Sequence, residues 1–146
     1  MSALAAFVHH LAAFALVAAL AIQFVLIRDE LTARSARRIR IADAVFGAAS
    51  GVLVVVGLLR VFYLEKGAAY YFHNAAFLAK LALFIAVGLL SIYPTRIFLR
   101  WRKGGAPGLR AGEQRRLRRV IHWELAGVVL IVLCAALMAR GVGQFR

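Results

Sequence analysis

The chain has 146 residues, is 64% hydrophobic and carries a formal net charge of +13. Its mean hydropathy of +0.83 means more apolar side chain than a water-soluble domain of this length can hide, which excludes a soluble globular protein and points to an integral membrane one. The positive charge does not indicate a nucleic-acid partner, because most of it lies in two short segments between apolar runs, where juxtamembrane arginines set orientation.

The first apolar run extends from Leu4 to Ile27. It lacks a basic leader and exceeds the apolar stretch of a cleaved signal, so it reads as a retained span. His9 and His10 stand near its start. Successive helical residues are rotated by about 100°, so at most one of these histidines aims squarely into a bundle. The connection "RDELTARSARRIR" (Arg28 to Arg40) holds five arginines. The second run, Ile41 to Phe62, has Asp43 near its start and Arg60 near its end. Gly47 and Gly51 continue the Asp43 stripe as a small-xxx-small pair, which predicts a close helix approach.

The next connection, "YLEKGAAYYFHN", contains Lys66 offset by Glu65, and its Tyr63, Tyr70, Tyr71 and Phe72 read as an interfacial aromatic belt. His73 opens the third run, Ala75 to Leu99. Lys80 lies nearly two turns deeper on the His73 face. Pro94 and the later "GGAPG" predict where this helix stops. The third connection, Arg96 to Arg119, holds nine basic residues. The fourth run, Val120 to Ala139, begins with His122 and Glu124, which point to nearly opposite sides of a helix.

Each run supplies the roughly 20 apolar residues that a bilayer-spanning helix requires, and none alternates as a barrel strand does. The expected fold class is all-α: one four-span domain, residues 1–146, forming an up-down-up-down antiparallel bundle. The two arginine-rich connections place their end of the bundle in the cytoplasm of a bacterial inner membrane and both termini in the periplasm.

Ionisable residues inside a membrane are expensive and mark function by default. An outer group comprises His9, His10, Arg60, His73 and Lys80. An inner group comprises Asp43, Arg96, His122 and Glu124. Two imidazoles from separate helices at similar depth can supply both axial nitrogens of a b-type haem, and the favoured pair is His9 or His10 with His73. Arg60, Lys66 or Lys80 would meet the propionates. Asp43, His122 and Glu124 are candidates for a proton relay, with Asp43 also able to pair with a rim arginine. The plainer alternatives are interfacial histidines bonded to water, a snorkelling Lys80, and structural ion pairs at the carboxylates. Copper fits less well, because Met1, Met138 and Cys134 do not cluster with the histidines. The lone Cys134 lies in an apolar run, where a thiol is more often a small hydrophobe.

The segments "HHLAAFALVAAL", "GLLRVFYLEKGAAYYFHN", "FLAKLALF" and "LLSIYPT" resemble a family of bacterial predicted membrane proteins, the domain of unknown function numbered twenty-two fourteen. A more distant resemblance is to the HemJ-type protoporphyrinogen oxidase, and the copper-resistance membrane proteins share the general layout. That oxidase family has an early histidine in its first span, matched by His9 or His10, and a lysine in its third, matched by Lys80. "RRVIHWELAGVVLIVL" resembles its fourth span, with His122 and Glu124 near the family's asparagine–glutamate pair. The pair is interrupted here by Trp123, and the tryptophan and glycine pattern of the first span is missing.

The resemblance implies haem b and porphyrinogen oxidation; electron exchange with a quinone is a further expectation for such a redox protein. The leading expectation is a haem-binding redox protein. The alternatives are a small transporter or metal-handling protein, and a structural or assembly subunit. A lipid bilayer partner follows from the spans, and a homo-oligomer is compatible with any of the three.

Overall fold

The computed structural model describes residues 2–64, 71–101 and 111–143. They form four long helices: α1 (Ser2–Leu26), α2 (Ala33–Leu59), α3 (Ala75–Arg100) and α4 (Ala111–Ala139). All four are long and apolar enough to cross a membrane. With no water in the hydrocarbon to satisfy backbone N–H and C=O groups, such runs close their hydrogen bonds internally as helices. Lys66, Glu65, Tyr70 and the "GGAPG" segment lie outside the described residues.

The helix ends follow capping chemistry, not hydropathy. α2 starts at Ala33, inside the arginine-rich connection, well before the expected Ile41. Thr32 caps it: the Ser35 N–H donates to Thr32 Oγ1 at 3.2 Å, and the Thr32 N–H donates to Ser35 Oγ at 2.8 Å. This reciprocal pair satisfies two donors that a helix start leaves open. α2 then continues through one wider π turn, Arg60–Leu64. α4 likewise starts before Val120, with Arg115, Arg116 and Arg118 exposed on its first turns. Pro94 does not end α3, which runs on to Arg100 with Pro94 buried inside it.

Around the bundle the order is α1, α2, α3, α4. The hairpins α1–α2 and α3–α4 pack most extensively, and they meet through α1 against α4 and α2 against α3. Neither diagonal pair, α1 with α3 or α2 with α4, comes into backbone proximity.

The tightest packing is at the arginine-rich end. Leu20, Ile27, Ile39, Ile97, Phe98, Leu117 and Ile121 are all essentially inaccessible there. The Phe98 and Trp101 rings meet at 5.0 Å. Arg118 seals this end by donating from Nε to the Ile27 carbonyl at 3.0 Å and from a terminal nitrogen to the Arg28 carbonyl at 2.8 Å. It thereby satisfies carbonyls that the end of α1 leaves open. Leu11, Phe14, Val55, Leu58, Ile85, Leu89, Val129 and Leu133 face outward, as lipid-contacting side chains do.

At the opposite end Asn74 is buried and caps α3, its Oδ1 accepting from the Phe77 N–H at 3.1 Å. Its Nδ2 donates to the Val142 carbonyl, and the Ala75 N–H donates to the Gly143 carbonyl at 2.7 Å. The strand of chain after α4 thus lies across the start of α3, turning through Gly141 (φ 74°) and Gly143 (φ 89°), a backbone region that favours glycine.

The close helix approach expected at Gly47 and Gly51 does not occur among the described residues: a Cβ added at either meets nothing there within 4 Å. The tight contact is elsewhere, where a Cβ on Gly127 of α4 would stand 2.5 Å from Val87 Cγ2 of α3.

Candidate functional site

Each helix contributes one polar side chain to a layer in the tightly packed half: Gln23 from α1, Asp43 from α2, Thr95 from α3 and Glu124 from α4. The Thr95 hydroxyl donates to Asp43 Oδ1 at 2.9 Å, joining the two hairpins across the α2–α3 seam. Asp43 and Glu124 come from diagonally opposed helices, and among the described residues no hydrogen bond or ion pair joins their carboxyls. Gln23 and Glu124 are 2% and 1% exposed. His9 packs beside Gly57. Equal steps inward along the antiparallel α1 and α2 from that contact bring Gln23 opposite Asp43. On the other side the Phe24 ring lies 6.2 Å from that of His122, which sets α1 against α4 at the same level.

The layer is incompletely paired. Gln23 Nε2 and Glu124 Oε1 are buried and have no hydrogen-bond partner among the described residues. Neither Asp43 nor Glu124 makes an ion pair there; of the alternatives for Asp43, it is held by the Thr95 hydroxyl. A cleft of about 480 Å³ on the α2–α3 face reaches Asp43 and Thr95, lined also by Arg40, Gly47, Phe98 and Leu99.

His122 and Glu124 point apart, as their spacing predicts: His122 is exposed against Phe24 while Glu124 is buried. Arg96 is exposed at the rim.

The outer group is arranged more openly. His9 is half-buried beside Gly57, with Arg60, also half-buried, just beyond on the π turn. His10 is exposed, and its Nδ1 lies 2.6 Å from the Ala6 carbonyl. The His9 and His10 rings meet edge to face at 6.0 Å. His73 is exposed at the entrance to α3, on the other hairpin, and Lys80 is half-buried further along it. Among the described residues no group of three or more His, Cys, Asp or Glu stands together as a metal site.

Sequence reading missed Gln23 and Thr95 as members of the layer. Gln23 is a polar residue inside an apolar run and carried a signal. Thr95, behind a proline near a span's end, carried none until α2 and α3 were brought side by side.

These features define a four-span integral membrane bundle with a buried polar layer set toward its arginine-rich end. More particularly, the chain belongs to the family of predicted membrane proteins known as DUF2214, which matches residues 1–143. No curated protein and no solved structure matches it.

Proposed function

We propose that the protein is a small proton-coupled transporter of the bacterial inner membrane, in which Asp43 and Glu124 take up and release the coupling charge. The observation that carries this reading is the buried Glu124 carboxyl, with the Asp43 carboxyl in the same half of the bundle and no ion pair to either among the described residues. An uncompensated carboxylate in a low-dielectric interior is strongly unfavourable, so a proton or cation must accompany it. A site that requires a mobile positive charge is what a coupled carrier uses to bias its two states. The cleft beside Asp43 and Thr95 is the entry route from the arginine-rich side, which the charge distribution assigns to the cytoplasm. Lys80, half-buried in the other half of α3, is a second charged group along the path. Gly47 and Gly51 leave α2 an open strip against which a second copy can pack.

Protein reconstituted in liposomes loaded with a pH-sensitive dye tests this. An imposed pH gradient dissipates faster than in empty liposomes, and Glu124→Gln or Asp43→Asn lowers the rate at least about tenfold, the cost of roughly 1.4 kcal/mol at the coupling step. A rate equal to that of empty liposomes ends the reading.

A second reading, a b-type haem redox protein, is favoured by His10. With Nδ1–H donated to the Ala6 carbonyl, Nε2 is left as an acceptor for a metal, the arrangement that orients ligating histidines elsewhere. His9 or His10 and His73 would hold the iron, and Arg60 and Lys80 would meet the propionates. Haem would supply one-electron chemistry toward a quinone or porphyrinogen, and Asp43, His122 and Glu124 would pass the accompanying protons. Protein purified from haem-competent cells then shows a Soret band that His73→Ala removes; colourless protein excludes it.

A further inference from the structure

The cleft between α2 and α3 carries two opposite charges that do not neutralise each other. Arg40 and Asp43 stand three residues apart on one side of α2 and both line the cleft, yet among the described residues no ion pair joins them. Asp43 Oδ1 accepts from the Thr95 hydroxyl, which gives its hydrogen there and leaves acceptor lone pairs on both groups. The cleft therefore presents a guanidinium on one side and acceptor oxygens on the other. The rest of its wall is apolar: Ile41 and Leu99 are 55% and 58% exposed, and the Phe98 ring behind them is buried. A Cβ on Gly47 would meet nothing within 4 Å among the described residues, so the wall has room there. The space amounts to about 480 Å³. It lies toward the arginine-rich end of the bundle, where spanning helices meet the membrane surface.

We infer that this cleft binds the headgroup of an ethanolamine phospholipid from the cytoplasmic leaflet, its phosphate on Arg40, its ammonium on Asp43 and Thr95, and its first acyl carbons over Gly47 and Leu99. The occupant has three demands to meet at once. Arg40 calls for an anion, and a guanidinium grips phosphate oxygens as a fork. Asp43 and Thr95 call for positively charged N–H donors, of which a primary ammonium has three. The exposed apolar wall calls for hydrocarbon. A purely anionic lipid meets the first and third demands and sets its charge against Asp43. A choline headgroup carries the positive charge without an N–H. A water-soluble zwitterion leaves the wall bare. Basic pockets between spanning helices on the cytoplasmic side are a recurrent place for headgroup recognition. The inference goes beyond the transporter reading and stands without it, since it concerns only Asp43 and its neighbours in the cleft and draws nothing from Glu124.

Detergent-purified protein is titrated with phosphatidylethanolamine, phosphatidylcholine or phosphatidylglycerol of identical acyl chains while thermal unfolding is recorded. The unfolding temperature rises saturably, and half-saturation comes at an about tenfold lower concentration of the ethanolamine lipid than of the other two, as expected for one charge-assisted hydrogen bond. Arg40→Gln and Asp43→Asn each remove that preference. Should Asp43→Asn fail to fold, Thr95→Val serves in its place. Gly47→Leu fills the apolar wall, leaves the charged groups in place and weakens the binding of all three lipids. Exposed Arg34→Ala leaves the preference intact. Equal curves for the three lipids overturn the inference, as does a preference for phosphatidylglycerol, which marks attraction to the arginine-rich rim in general. A preference that survives both Arg40→Gln and Asp43→Asn overturns it as well. So does an equal shift from phosphoethanolamine without acyl chains, or an unfolding temperature set by protein concentration and not by lipid, which seats a second copy on the cleft. The measurement uses no pH gradient, so liposomes without proton flux end the transporter reading and leave this inference standing, while flux without lipid preference does the reverse.

Discussion

Gly127 shows how one missing side chain fixes the spacing of a helix pair. The α3–α4 hairpin closes to the point where a methyl on Gly127 would overlap Val87. In a membrane, where helix association rests on close van der Waals packing, such contacts carry much of the cohesion. Gly127→Val is expected to cost about 1–3 kcal/mol, as overpacked cores do. The cost should appear as a lower unfolding temperature, and Gly47→Val, on the open strip of α2, should leave the isolated chain unaffected. Equal losses at both positions would contradict this account of the packing. Gly47 and Gly51 carry the recognisable motif, but motif and contact fall on different helices. A small-xxx-small pattern states only that close approach is allowed there.

At the scale of an element, the helix ends separate what hydropathy reads from what local hydrogen bonding reads. Spans two and four look shorter in sequence than α2 and α4 are, because arginines end an apolar run without ending a helix. The ends are set by groups such as Thr32 with Ser35 at the start of α2, and Arg118 across to Ile27 and Arg28 at the end of α1. Asn74 is the most consequential of these caps. It holds α3 through Oδ1 and the segment after α4 through Nδ2. Asn74→Ala should cost about 1 kcal/mol for the lost cap. It should also raise amide exchange both at Ala75 to Leu78 and around Val142. Asn74→Asp keeps an acceptor for the Phe77 N–H and loses the donor, so exchange should rise only around Val142. Uniform exchange across the two variants would show that the segment is held by other contacts.

At the scale of the whole molecule, two hairpins meet with their densest core at one end and looser packing at the other. The polar layer lies in the dense half, and His9, His10, His73 and Lys80 lie in the loose half. This asymmetry parallels the charge asymmetry of the connections, and the orientation proposed from it is directly measurable. With Cys134 replaced by serine, a cysteine at exposed Phe72 should react with an impermeant maleimide in intact spheroplasts. A cysteine at exposed Arg34 should react only after permeabilisation. The opposite labelling pattern would reverse the topology and place the polar layer next to the periplasm.

The number of spans, their class and the opposed directions of His122 and Glu124 were determined by the sequence alone, because hydropathy and helical period are local properties. The starts of α2 and α4 were only partly legible, since capping competes with hydropathy at those boundaries. The layer of Gln23, Asp43, Thr95 and Glu124 was decided by tertiary structure. Its members are far apart along the chain, and they come to one level only once the register of each antiparallel pair is set by contacts such as His9 with Gly57 and Val87 with Gly127. Register depends on which side chains interdigitate between helices, and no single helix's sequence contains that information.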